Sequence, residues 1–159
     1  MTFTIQLVID SGGADSDDAQ EKPIAQETIE IALLEREDDP GKGDPHKGNP
    51  SLEDLGLSLN ESKEILQELQ RKIVQRQAES YAASRRGCSG CGKQRRKKGY
   101  YPVQFRSLFG NVELKSPRLY HCDCLPREQK TFSPLTRLMP EHTAPELLYL
   151  ETKWASLAP

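Results

Sequence analysis

The stretch Tyr100-Tyr101-Pro102-Val103-Gln104-Phe105-Arg106-Ser107-Leu108-Phe109-Gly110-Asn111-Val112-Glu113-Leu114-Lys115-Ser116-Pro117-Arg118-Leu119-Tyr120 lies between two tight cysteine pairs, Cys88-Ser89-Gly90-Cys91 and Cys122-Asp123-Cys124. Its halves carry the aromatic and β-branched residues of strands. They meet at Gly110-Asn111, where a glycine first in a two-residue loop predicts a type II′ hairpin turn. Pro117 removes one ladder donor and predicts an edge position. A hairpin with a cysteine pair at each end has the layout of a zinc ribbon: thiolates on short knuckles converge on one tetrahedral ion. The expected cofactor is structural Zn2+, and the candidate ligands are Cys88, Cys91, Cys122 and Cys124.

The second pair has one residue between its cysteines where two or more are usual, and His121 stands beside it as a substitute donor. Four cysteines nevertheless complete a closed site and leave His121 outside it. Disulfides are the competing use of these thiols. Neither close pair makes an easy internal disulfide, and the opening Met1-Thr2-Phe3-Thr4-Ile5 lacks the basic region and apolar stretch of a secretory signal. An open, hydrolytic metal site would need a general base, and the histidines offer little: His46 falls in breaker-rich sequence and His142 at a helix entrance.

Charge is divided along the chain. Residues 1–60 hold 14 acidic and 4 basic side chains, whereas residues 85–130 hold 12 basic and 3 acidic ones. The run Lys93-Gln94-Arg95-Arg96-Lys97-Lys98 joins the first knuckle to the hairpin, and Arg106, Lys115 and Arg118 lie on the strands. Alone, such a run is a solvated loop. Anchored to a knuckle and followed by Tyr100 and Tyr101, it becomes a candidate nucleic-acid contact set: Lys93, Arg95, Arg96, Lys97, Lys98, Arg106, Lys115 and Arg118. Contacts of this kind go mainly to phosphates, which gives salt-dependent affinity with little base specificity.

The remaining segments predict an α+β protein with a thin core. The apolar fraction is about 39% counted with Gly and without Tyr, against roughly 45–50% for typical domains. Phe3, Ile5, Leu7 and Ile9 alternate with polar residues, as do Ile29, Ile31 and Leu33, so residues 1–37 are expected to form an antiparallel β ribbon around a disordered acidic loop. Residues 38–57 are dense in Pro and Gly and read as a linker, without the spacing of a phosphate-binding loop around Gly41-Lys42-Gly43. A helix is expected over 58–84, opened by the capping box Ser58-Leu59-Asn60-Glu61 and carrying an apolar stripe of Ile65, Leu66, Leu69, Ile73 and Tyr81. The zinc ribbon follows over 85–125, then a loop over 126–142. A second capping box, Thr143-Ala144-Pro145-Glu146, opens a helix over 143–159 with an apolar face of Leu147, Leu148, Leu150 and Trp154. No apolar run approaches the roughly 20 residues of a membrane-spanning helix, so the chain is expected to be soluble and intracellular. The carboxylates fall mostly in flexible sequence, and no nucleophilic triad or two-metal carboxylate set is recognisable.

The order of several segments resembles the N-terminal region of Kra-type bacterial insertion-sequence transposases. The resemblance is carried by Met1-Thr2-Phe3-Thr4-Ile5, Cys88-Ser89-Gly90-Cys91-Gly92, Phe105-Arg106-Ser107-Leu108-Phe109-Gly110-Asn111-Val112, Tyr120-His121-Cys122-Asp123-Cys124, Phe132-Ser133-Pro134-Leu135 and Pro145-Glu146-Leu147-Leu148-Tyr149-Leu150-Glu151-Thr152-Lys153-Trp154. It implies a zinc-binding, DNA-binding front end of a transposase whose RNase H-like domain carries DDE carboxylates. The expected partners are DNA at insertion-sequence ends, a second copy of the chain, or a separate catalytic fragment. The expected setting is the bacterial cytoplasm and nucleoid. Since the chain ends where the connecting helix would lead onward, it is expected to be a truncated or split transposase that does not cut DNA by itself. The alternatives from other classes are a stand-alone zinc-ribbon adaptor and an RNA-binding zinc ribbon in which Tyr100, Tyr101 and Phe105 stack on bases.

Overall fold

The computed structural model describes residues 2–11, 25–36, 56–124 and 130–157. Within them the chain is α+β, with two antiparallel sheets and three helices. The acidic loop expected before Pro23 falls outside the described residues except at its first two positions, as do 38–55 of the expected linker and 126–129 of the expected loop. The chain divides into two compact units, Met1–Leu69 and Gln70–Pro159, with the boundary inside one helix.

In the first unit, β1 (Thr2–Ser11) and β2 (Ala25–Glu35) pair antiparallel, as their alternation predicts. The pairing contains a bulge. Ile5 opposes Ala32 and Gln6 opposes Glu30, which leaves Ile31 as an extra residue. Because side chains alternate with period 2, one inserted residue moves everything beyond it to the other face. The expected set Ile29, Ile31 and Leu33 is therefore split: Ile31 is buried, Leu34 is half-buried opposite Phe3, and Leu33 is 52% exposed.

Helix α1 (Leu59–Ser84) opens with the predicted capping box. The Ser58 amide donates to Glu61 Oε2 at 2.8 Å and the Glu61 amide donates to Ser58 Oγ at 3.2 Å, so two first-turn donors are satisfied reciprocally. Arg36, just past β2, donates to both Glu61 carboxylate oxygens at 2.7 and 2.9 Å and to the Gly56 carbonyl at 3.0 Å. The Arg36 guanidinium, followed by the Ser58 amide and hydroxyl, holds the Glu61 carboxyl down at about 2.

In the second unit, β3 (Lys97–Ser107), β4 (Gly110–Tyr120) and β5 (Thr131–Phe132) form a sheet in that order. Val112 and Leu114 of β4 join Ala78 of α1 and Leu135 of α2 (Pro134–Leu138) in one buried cluster, flanked by Val74, Tyr81, Phe105 and Met139. The expected stripe is met only in part: its Tyr81 flanks the cluster, but Ala78 and Ala82 are the buried residues of α1 and Leu66 is exposed. Alanine is only weakly hydrophobic, so a hydrophobicity pattern alone does not reveal that these positions are covered. Likewise the expected loop over 126–142 contains β5 and α2, and Pro134 and Leu135 are fully buried. Ser133 precedes α2, but its hydroxyl hydrogen-bonds Ser116 Oγ at 2.6 Å across to β4.

Two further local expectations are corrected. Ser107 pairs with Gly110, so the hairpin tip is Leu108-Phe109, two residues earlier than expected. Among described non-glycine residues only His142 has a positive φ, so Leu108 lacks the positive φ of a type II′ turn. The positive φ of +112° falls on Gly110, directly after the tip, where only glycine is unstrained. At helix α3 (Pro145–Leu157) the Thr143 hydroxyl donates to Glu141 O at 3.1 Å, and the Ala144 carbonyl accepts the first helical amide, from Leu148, at 3.0 Å. Thr143 is occupied because its segment bridges in parallel to Arg106: the Arg106 amide donates to His142 O and the Ala144 amide to Arg106 O. Pro117 lies on the middle strand, though β5 covers only Leu119 and Tyr120, so Pro117 has a strand on one side only.

Candidate metal centre and basic surface

The first knuckle is a miniature hairpin. Gly87 bridges Gln94, the Cys88 amide donates to Lys93 O at 3.0 Å, and the Arg95 amide donates to Arg86 O at 2.8 Å. The turn closes with the Gly92 amide on Cys88 O at 2.8 Å. Gly92 has φ +71° with open space around its missing side chain, so conformation and not room requires glycine there. The second knuckle follows β4 directly and is pinned from two sides, by the Tyr120 amide on Arg96 O at 2.9 Å and the His121 amide on Lys130 O at 3.0 Å.

The four cysteine sulfurs all lie within 4.8 Å of one another. Two close pairs cross between the knuckles: Cys88 to Cys124 and Cys91 to Cys122, each at 3.4 Å. These separations are far beyond a disulfide bond of about 2.05 Å, and the four thiols are free. The cluster can therefore hold one metal ion with a ligand from each cysteine. His121 is not among the converging groups; its ring lies against Phe132, with centroids 4.6 Å apart.

Main-chain amides prepare the sulfurs for this task. The Gly90 amide, then that of Cys91, then the Cys124 thiol hold Cys88 down at about 6. Cys122 is lowered first by the Cys124 amide and then by the Cys124 and Cys91 thiols. Cys124 is pushed up, first by Cys122 and then by Cys91 and Cys88. Four sulfurs this close cannot all be anionic without a cation among them, and a bound metal ion would relieve that repulsion.

The expected basic contact residues do not form one patch. Lys93, Arg96, Lys97 and Lys98 are exposed beside the first knuckle. Lys97 Nζ donates to the Tyr100 hydroxyl at 2.7 Å and lies 4.9 Å from its ring centre, which also lowers the Tyr100 pKa. Arg96 stands over Tyr120 at 5.5 Å. Arg118, opposite Gly99, lies 5.6 Å from the Tyr101 ring centre and donates from Nε to Thr131 Oγ1 at 3.0 Å. Lys115 is exposed opposite Pro102. Arg106 is near the other end of β3, about 30 Å along the strand from Lys97, and its guanidinium pairs with Glu151 of α3. Arg95 is half-buried and spends its Nη1 on the carbonyls of Arg85 and Gly87. Sequence reading missed Phe132 and Thr131 because they sit in a short strand within what looks like a loop, where two residues carry no periodicity.

On α3, Leu147 and Leu150 are half-buried while Leu148, Tyr149 and Trp154 are exposed. No helix among the described residues is long and apolar enough to cross a membrane. Neither a protein-family model, nor a curated protein, nor a solved structure matches the chain.

Proposed function

We propose that this chain is a DNA-binding module built on a structural zinc ribbon, serving as the front part of an insertion-sequence transposase and contributing DNA binding and not strand cleavage. The observation that carries the proposal is the convergence of Cys88, Cys91, Cys122 and Cys124, with exposed lysine and arginine side chains on the chain that links the knuckles. Zinc–sulfur bonds of about 2.3 Å place tetrahedral thiolates about 3.8 Å apart, and separations of 3.4 Å for two pairs and at most 4.8 Å for any pair are compatible with that spacing. Soft thiolates favour zinc over hard, oxygen-seeking cations. The transposase assignment rests on the order of sequence segments quoted above.

RNA binding is favoured by a different observation: Tyr100 and Tyr101 are 57% and 46% exposed, and each carries a cation near its ring. Bases could stack on such rings. The deciding experiment titrates the full chain and a Lys93/Arg96/Lys97/Lys98 alanine variant against duplex DNA and single-stranded RNA at two salt concentrations. Duplex DNA should bind more tightly than RNA, and the variant should lose affinity evenly across sequences, with a shallower salt dependence. A preference for RNA would replace DNA in the proposal, and equal binding by both proteins would remove the basic linker from it.

A further inference from the structure

We propose that Arg95, placed by its sequence context in a phosphate-binding run, is a positioning residue that ties the two cysteine knuckles together. The inference rests on the metal-centre reading above, but its observations are independent of DNA. From one side of the guanidinium, Nη1 donates to Arg85 O at 2.8 Å and Gly87 O at 2.7 Å, the carbonyls just past the C-terminus of α1. A cation is favourable at a helix C-terminus, where unpaired carbonyls concentrate negative charge. Gly87 directly precedes the metal-site residue Cys88.

On another side the guanidinium carbon stands 5.2 Å from the Phe132 ring centre. Phe132 in turn stacks on His121 at 4.6 Å, and His121 directly precedes Cys122. One planar cation thus reaches the residue before each cysteine pair, through carbonyls on one knuckle and two rings on the other. Nε is buried without a hydrogen-bond partner, so the negative face of Phe132 is what compensates the cation there. A residue that meets phosphates must present its donors to solvent. Arg95 instead commits Nη1 to main-chain carbonyls and buries Nε, unlike its neighbours Arg96, Lys97 and Lys98, which are exposed.

The experiment compares Arg95→Ala, Arg95→Lys, Phe132→Leu and Lys98→Ala in the full chain. Three properties are measured: hydrogen-exchange protection of the Cys88 and His121 amides, one in each knuckle; zinc retention against a chromogenic chelator; and the salt slope of duplex DNA binding with zinc in excess. Arg95→Ala should lose protection at both amides, weaken zinc retention by about 10–100-fold, as supporting groups around metal ligands do, and leave the salt slope unchanged. Arg95→Lys should not rescue it, because an ammonium lacks the planar fork that meets carbonyls and ring together. Lys98→Ala should do the reverse, lowering the salt slope by about one with zinc and exchange unaltered. Phe132→Leu approaches the strut from its other side, so the inference stays testable should Arg95→Ala not fold. Wild-type protection at both amides in Arg95→Ala or Phe132→Leu, or a salt slope reduced by about one in Arg95→Ala, would overturn the proposal. If the wild-type chain bound no zinc, the zinc-ribbon reading would fall while the exchange data still decided the role of Arg95.

Discussion

Two antiparallel pairs of similar length meet different fates in this chain. β1–β2 and β3–β4 each have strands of ten or eleven residues with an alternating pattern. Yet β4 buries Val112, Leu114, Ser116, Pro117 and Leu119, whereas Ile31 is the buried residue described in the β1–β2 ribbon. Backbone pairing is available to both and cannot explain the contrast. β4 has a second layer, made by Ala78 of α1 and Leu135 of α2, and a cysteine cluster brings the chain before β3 to the chain after β4. Among the described residues no such buried layer covers the β1–β2 ribbon, and a two-stranded ribbon alone is marginal in water, because its hydrogen bonds merely replace those made with solvent.

The comparison is sharpened most strongly by removing metal. Structural zinc contributes roughly 10–16 kcal/mol of apparent binding energy in small domains. Chelation, or Cys122→Ser, should therefore abolish amide protection around Cys88, Tyr120 and His121 while leaving that of β1–β2 unchanged. Native mass spectrometry should report one zinc per chain beforehand. Equal loss in both regions, or a metal-free chain with an intact hairpin, would break the contrast.

Core truncation comes next. Leu119 is fully buried, so Leu119→Ala should destabilise the second unit by about 2–5 kcal/mol in denaturant melts. Val112→Ala should act in the same direction with a smaller loss, since fewer side-chain carbons are removed.

A smaller effect is expected at the start of α1. Ser58→Ala should cost about 1 kcal/mol by removing the cap hydroxyl, read as faster exchange in the first helical turn. Glu61 adds a pH signature there. Its folded pKa is about 2, below the ordinary 4.5, so its contribution is fully present above pH 4.5 and is lost as pH falls toward 2. An NMR titration of the Glu61 carboxyl should show this, and Arg36→Ala should return the midpoint toward its ordinary value. A normal midpoint in the intact chain would remove the Arg36–Glu61 tie.

The smallest effect is predicted at Leu33. The bulge at Ile31 leaves it half in solvent, and Leu33→Thr should change stability by no more than about 0.5 kcal/mol. A loss comparable to that of Leu119→Ala would mean that the ribbon is covered on the face carrying Leu33.

What was legible and what was not divides along the range of the interactions. The capping box at Ser58 and Glu61, the strand pattern on either side of the hairpin tip, and the knuckle spacing of Cys88 and Cys91 depend on residues within a few positions of one another. Those signals survive in a linear reading. The burial of Ala78 and Ala82 does not, because a single methyl group adds little to a hydrophobic pattern and its burial depends on which distant residues cover it. Nor does the bulge at Ile31, since an alternating pattern is compatible with either register until a partner strand supplies its own parity.

The same division runs through the candidate site. Sequence by itself determined which four thiols were available and that a hairpin would carry them, because short spacers and β-rich flanks constrain the chain locally. Tertiary structure alone decided that Cys88 faces Cys124 and Cys91 faces Cys122, that Arg106 pairs with Glu151, and that Arg95 turns inward onto Phe132 while Lys97 and Lys98 remain in solvent. Identical charges in a row are equivalent on paper. They become different when the chain folds, because a cation takes its role from the carbonyls, rings and carboxylates brought to it from distant parts of the sequence.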